Sequence, residues 1–296
     1  MSEQTFFTKE FIDKLERLSI FSRKVLHGLL KGERRSTKKG VSIEFADYRD
    51  YVPGDDLRFL DWNIYARLEQ LFLKIFQEEE DLNIYFLLDR SKSMDFGSPN
   101  KLTYGKKLVA ALAYIALKNL DRVAIGTFSS DLDNFFPLTR GKQSAWRMFD
   151  FLEQIKPSKP ENTTNLYESF KSFALKFKSS SIIIIVSDFM AGDFESALKF
   201  FANNNCDTFV FHILSQEELD PPLAGDLKLS DSENGPQVDI SISSKLLDRY
   251  RMILSSYIQN IHSWCLKHNI FYLYSSNQKS FDDLILKYLK SIGMLR

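Results

Sequence analysis

Cysteine is scarce in this chain: Cys206 and Cys265 are the only two among 296 residues. Both sit in apolar-periodic segments, so no disulfide framework is expected, and buried free thiols suit a reducing compartment. Long apolar runs are missing as well. None approaches the ~18 residues a membrane helix needs, and the unbroken run Ile182 to Val186 is only strand-length. The opening Met1-Ser2-Glu3-Gln4 has no basic stretch followed by an apolar one, so no leader is expected. These absences predict a soluble cytoplasmic protein. No sign of charge dominates, with 39 Lys+Arg against 39 Asp+Glu, which argues against a domain built mainly to grip nucleic acid. The sequence holds no Gly-x-x-x-x-Gly-Lys-Ser/Thr loop, no Gly-x-Ser-x-Gly and no His-Glu-x-x-His. Phosphate-loop ATP binding, nucleophile-elbow hydrolysis and zinc proteolysis therefore lack their signatures. The four histidines, His27, His212, His262 and His268, lie in or at the ends of apolar-periodic elements and read as core or surface groups.

What is present is a hydrophobic fraction of 44% and 26 phenylalanines, enough for a sizeable aromatic-rich core. Phe11, Leu15, Leu18, Phe21, Val25, Leu26 and Leu29 recur at helical spacing, with Gly32 as a stop signal. A basic segment, Lys31 to Lys39, follows. The stretch Val41 to Glu80 mixes charge and aromatics around a Pro53-Gly54 turn, and alternating Leu71, Leu73 and Ile75 predict a strand. Glu78 to Asp81 is acidic and reads as a solvated loop or strand edge.

From Leu82 the pattern alternates. Strands are expected at Leu82–Leu88, Val123–Phe128, Phe135–Phe136, Ile182–Val186, Thr208–Leu214 and Ile270–Tyr274. Helices are expected at Leu102–Leu120, Ala145–Ile155, Leu166–Phe177, Phe194–Ala202, Leu246–Leu266 and Phe281–Ile292. Such alternation predicts an α/β, doubly wound, mostly parallel sheet covered on both faces. Residues 217–243, with Pro221-Pro222 and Asn234-Gly235-Pro236, read as an inserted hairpin. The expected domains are 1–81, an N-terminal helix, basic linker and β-rich extension, and 82–296, the α/β domain.

Ligands of such sheets bind beyond the carboxyl ends of strands, and there the chain places Asp89-Arg90-Ser91-Lys92-Ser93. A carboxylate and two hydroxyls at alternate positions can face one way and offer the hard oxygen donors that Mg2+ or Mn2+ prefers. Two more oxygen-bearing loops follow predicted elements, one at Thr163-Thr164 and one at Ser187-Asp188. Each has a plainer use: Asp89 and Asp188 as turn formers, either threonine as a helix N-cap. The spacing does not choose between Thr163 and Thr164. A cation held by few carboxylates seeks another anion, such as an acidic side chain from a partner.

The loop Asp89 to Met94 resembles the metal-ion-dependent adhesion site of von Willebrand factor A domains, with Thr164-Asn165-Leu166 similar to its threonine loop and Asp188 to its second aspartate. The block Glu44-Phe45 through Arg49-Asp50-Tyr51-Val52-Pro53-Gly54-Asp55-Asp56-Leu57-Arg58, then Asp61-Trp62 and Ala66-Arg67, is similar to the signature of the bacterial family catalogued as domain of unknown function 58. The resemblance runs from about Gly40 to the C-terminus. It implies a von Willebrand A-like, Rossmann-type domain with a short β-rich extension. It also implies a metal site of Asp89, Ser91, Ser93, Thr164 and Asp188, and a role beside MoxR-type AAA+ ATPases in cofactor insertion, assembly or remodelling. Members of the family often carry N-terminal membrane helices, for which this chain shows no matching segment.

The reading that follows is a non-enzymatic, metal-dependent protein-binding module. An alternative is a magnesium-dependent phosphatase or phosphoryl-transfer enzyme with Asp89 as nucleophile. Such enzymes place a second aspartate two residues on, where this chain has Ser91. A second alternative is nucleic-acid binding through Lys31 to Lys39, five basic residues and one acid with little aromatic interleaving. The balanced charges of Arg49 to Arg67 favour structural ion pairs over a partner-facing surface, with Trp62 and Tyr51 as core-edge anchors.

Overall fold

The computed structural model describes residues 7, 9–20, 43–78, 82–159, 164–177, 181–190, 193–202, 206–230 and 237–289. The basic segment Lys31–Lys39, the start of the extension at Gly40, Thr163 and the ends of the first and last expected helices lie outside them. The chain forms two compact units, Met1–Lys24 with Leu82–Arg296, and Val25–Asp81.

The larger unit is built on a six-stranded sheet. Its strands are β3 (Asn83–Asp89), β4 (Arg122–Phe128), β5 (Leu132–Arg140), β6 (Ser181–Ser187), β7 (Asp207–Leu214) and β10 (Phe271–Ser276), in the order β10-β7-β6-β3-β4-β5. Five run parallel, and β5 is an antiparallel edge on β4. Pro137 sits on that edge, where no ladder donor is required. Strand order reverses about β3, the first strand of the unit, so the switch in direction falls beside its carboxyl end.

Period-two alternation explains why the strands read as unbroken apolar runs. Ile84, Phe86, Leu88, Ile182, Ile184 and Val186 enter one core, while Tyr85, Leu87, Ile183 and Ile185 enter the other. Every residue of β6 is buried, and each isoleucine there contributes roughly 1.5–3 kcal/mol relative to exposure.

The first core lies under helices α1 (Lys9–Leu15), α3 (Lys101–Lys118) and α4 (Ala145–Gln154), together with the closing turns Phe281–Asp283 and Leu284–Tyr288. The second lies under α5 (Leu166–Ala174), α6 (Phe194–Ala202) and α8 (Ser244–Lys267). Helix α3 is the centrepiece. Ala110, Ala111, Ala113 and Ala116 are buried and let it lie close to the strands. At its start a side chain on Gly105 would stand 3.0 Å from Leu88 and 3.3 Å from Val186.

The sequence grouped the N-terminal helix with the extension. Instead α1 packs on the α/β unit: Phe7, Phe11 and Leu15 join its first core, Phe7 stacks on Phe281 at 5.7 Å, and Tyr114 Oη donates to Glu16 at 2.8 Å. An amphipathic helix must bury its stripe, and the sheet layer offers an apolar surface for it.

The insertion is the expected hairpin, β8 (Gly225–Ser230) paired antiparallel with β9 (Gln237–Ile242). It is preceded by a short helix α7 (Gln216–Leu219), closed by a Ser215/Glu218 capping box that the sequence reading passed over.

The smaller unit pairs β1 (Ile43–Asp50) antiparallel with β2 (Phe72–Glu78). Between them lies a helix the periodicity did not announce, α2 (Trp62–Leu68), too short for a periodic signal. Asp61 starts it by accepting from Asn63 N and Ile64 N, and also takes Tyr48 Oη at 3.0 Å and Lys74 Nζ at 3.1 Å. The charged block closes largely on itself: Arg49 makes a two-pronged pair with Asp55, and Arg58 pairs with Asp56. Trp62 is 62% exposed and meets only Tyr65 edge-on at 6.2 Å among the ring contacts of the described residues. It is a surface residue rather than the expected core-edge anchor.

Candidate metal centre

The parallel register carries Asp89 and the Ser187-Asp188 step to the same rim, since Leu88 pairs with Val186. Asp89 is 1% exposed. Its Oδ1 accepts from Ser91 N at 2.8 Å and its Oδ2 from Ser187 Oγ at 2.6 Å. The loop then turns through a 3-10 step at Lys92–Met94, which brings Ser91 Oγ within 2.9 Å of Ser93 Oγ. The intervening side chains point elsewhere. Arg90 pairs with Asp133 at 2.8 Å and donates to Lys156 O at 3.1 Å, and Lys92 pairs with Asp95 at 2.7 Å. Ser91 thus touches both of its alternate neighbours, Asp89 through its amide and Ser93 through its hydroxyl.

The threonine loop reaches the rim by another route. Asn165 N donates to Ser129 O at 2.9 Å, one residue past the end of β4, and Arg90 N donates to Phe128 O at 2.9 Å beside it. Thr164 is half-buried at that junction, while Asn165 takes the capping role by accepting from Glu168 N. The cap that competed for the threonine is therefore filled by its neighbour.

Asp188 is also 1% exposed. Its Oδ1 accepts from Met190 N at 3.1 Å and its Oδ2 from Lys101 Nζ at 2.7 Å. Beneath this loop, Tyr257 Oη donates to Phe189 O, and His212 Nδ1 meets Tyr272 Oη at 2.7 Å.

Charge is expensive at this depth. Burial, reinforced by the charge of Asp188, pushes the Asp89 carboxyl up to about 7. Burial pushes His212 down to about 4 against the pull of Asp188, so the imidazole is neutral. Burial also opposes the Lys101 ammonium, but Asp188 and Glu218 outweigh it and hold its pKa above the ordinary lysine value.

Among the described residues no group of three or more histidine, cysteine or carboxylate side chains gathers as a metal cluster. The donor set here is different in kind: two buried carboxylates at neighbouring strand ends and the paired hydroxyls of Ser91 and Ser93. That set fits a hard cation, which prefers oxygen. The separation of the Ser91 and Ser93 hydroxyls, 2.9 Å, also matches the ~2.9 Å edge between neighbouring ligands of an octahedron with bonds near 2.1 Å. A cation would also restore ionisation of the buried Asp89.

Three contributors escaped the sequence reading. Ser187 was seen only as a loop residue, yet it orients Asp89. Lys101 occupies the first turn of a helix, where a cation is disfavoured, and that misfit was a usable signal. Glu218 was legible only as part of a Ser-x-x-Glu capping box.

The family model described as Protein of unknown function DUF58 matches residues 47–255. The chain belongs to this family. The match spans the Arg49–Arg67 block, both aspartates and the inserted hairpin. Rv1480 of Mycobacterium tuberculosis is 22% identical over 239 residues, covering 80% of this chain and 75% of that protein. Among solved structures, the conserved hypothetical protein BatB from Bacteroides thetaiotaomicron aligns over 71% of this chain and 98% of its own, with 19% identity and a TM-score of 0.46. A von Willebrand factor type A protein from Catenulispora acidiphila aligns over 48% of this chain and 35% of its own, with 15% identity and a TM-score of 0.36. The DUF58 chain is a doubly wound, mostly parallel α/β protein. No helix among its described residues is long and apolar enough to cross a membrane.

Proposed function

We propose that this DUF58 protein is a non-enzymatic, metal-dependent protein-binding module. Asp89, Ser91, Ser93, Thr164 and Asp188 hold Mg2+ or Mn2+, and an acidic side chain of a partner completes the shell. The partner is a MoxR-type AAA+ ATPase or its client, and the work is assembly or remodelling. The observation that carries the reading is the pair of buried carboxylates, each 1% exposed, at neighbouring strand ends with two hydroxyls 2.9 Å apart beside them.

The residues divide the labour. Asp89 supplies the charge that draws the cation, and Ser187 and the Ser91 amide fix its two oxygens. Ser91 and Ser93 supply neutral donors, which leave the cation short of negative charge. Thr164 offers a further hydroxyl from the β4 side, and Asp188 a second negative charge. Phe96 and Met190, on two of these loops, are 48% and 41% exposed and offer apolar contact to a docking partner. Burial of Asp89, with both oxygens engaged, supports holding over nucleophilic attack, since an attacking oxygen needs open approach to an electrophile. The two buried free thiols suit the cytoplasm, the proposed location. Residues 82–296 with the N-terminal helix form the binding domain in this reading, and the charged extension is an accessory to it.

The experiment is equilibrium dialysis against Mg2+ and Mn2+, paired with capture of a purified MoxR-type ATPase with and without chelator. Metal content near one ion per chain and chelator-sensitive capture are expected, both lost in Asp89→Ala and Asp188→Ala. Variants that change neither metal content nor capture refute the assignment.

A further inference from the structure

We propose that Lys101 is a built-in counter-ion of the metal centre: a positioning residue that weakens cation binding so that the bound cation keeps its attraction for a partner's carboxylate. This rests on the metal-binding reading above and adds a residue to it.

Lys101 is fully buried, at 0% exposure. A lysine side chain almost never occurs so deep unless it is paired. Its position just after the Asn100 cap of α3 sets its charge against the positive end of the helix, so helix stability does not account for it. Its ammonium is instead clasped between two carboxylates from distant parts of the chain, Asp188 at 2.7 Å and Glu218. Glu218 is held in turn, because its Oε2 accepts from Ser215 N at 2.7 Å in the capping box and its carbonyl accepts from Tyr250 Oη at 2.7 Å. The clasp is therefore braced on the Glu218 side, and Asp188 reaches the site with one oxygen already committed to a cation of the protein's own.

The charge count gives the consequence. Asp89, Asp188 and Glu218 are three carboxylates, Lys101 is one ammonium, and a divalent cation brings the ensemble to neutrality. An incoming carboxylate then meets no net repulsion. Without the ammonium the same ensemble is negative. It would hold the metal more tightly and repel the partner's acid. At such distances and a protein-like dielectric, one unit charge changes affinity for a divalent ion by at least about tenfold.

The test uses the full-length chain loaded with Mn2+. Manganese affinity is measured by titration, and acetate serves as the carboxylate probe through its effect on water-proton relaxation at the bound ion. Lys101→Met is expected to bind Mn2+ at least about tenfold more tightly and acetate several-fold more weakly, and Lys101→Arg to restore the wild-type pair of values. Glu218→Gln, which keeps a capping-box side chain, is expected to move both affinities the opposite way, and it remains informative if Lys101→Met does not fold. A fall in both affinities together in Lys101→Met would mark a merely structural lysine and overturn the proposal. So would wild-type Mn2+ binding with Glu218→Gln unchanged from it, in which case the metal reading survives. Wild-type protein that takes up no Mn2+ refutes both readings at once.

Discussion

Asp89→Asn offers a test of the candidate centre that needs no partner. In the folded protein without metal, burial and the Asp188 charge raise the Asp89 carboxyl to about 7. In the unfolded chain it titrates near ~3.9. Between these values the folded state holds a proton that the unfolded state has lost, so stability falls as pH rises from ~4 to ~7 and is flat above. A shift of about three units at ~1.4 kcal/mol each gives a loss of about 4 kcal/mol. His212 works in the other direction. Its folded pKa is lowered to about 4, below the unfolded ~6.5, so its contribution rises with pH over nearly the same window and is worth roughly 3 kcal/mol. The wild-type curve alone can therefore look level. The difference between variant and wild type cancels His212 and isolates Asp89.

Asparagine keeps the shape and both bonds, accepting from Ser91 N and donating to Ser187 Oγ. In chelator, urea unfolding from pH 4 to 8 should show the two proteins similar at the acid end, where the Asp89 loss has barely begun. At pH 8 the variant should be more stable by up to about 4 kcal/mol. Mg2+ at one hundred times its dissociation constant should then raise wild type alone by about 2.7 kcal/mol. A variant less stable than wild type at pH 8 in chelator, or equally stabilised by Mg2+, would refute the reasoning.

Gly97 holds φ +87°, and a Cβ there would stand 2.5 Å from Ser215 Cβ; Gly97→Ala should cost about 2–5 kcal/mol in chemical unfolding. In the smaller unit, Asp61→Ala removes the cap of α2 and the partner of Tyr48 and Lys74. Hydrogen exchange should quicken across residues 61–74 while the six-stranded sheet stays protected. Cys206 and Cys265 are buried, and burial pushes the Cys265 thiol up to about 12. Thiol reagents at pH 8 should label neither in the native protein and both after denaturation, and rapid native labelling of either would contradict the packing.

The sequence determined the elements and the chemistry of the first loop. Period-two and helical spacing are properties of neighbouring residues, so the strands and most helices were legible, and Asp89-x-Ser91-x-Ser93 after an apolar strand was legible as a set of oxygen donors. Short α2 and α7 were not, because seven and four residues carry too little periodicity. Tertiary structure alone decided which distant groups meet. Strand register set Ser187 against Asp89 across 98 residues, and the crossovers brought Asp188 and Glu218 to Lys101 across 87 and 117. Sheet burial, rather than chain proximity, placed α1 on the α/β unit. Local pattern records what a residue can do. Which charge it faces depends on how the parallel connections wind, and burial at the sheet rim is what makes that pairing matter, since a charge there has no water to answer it.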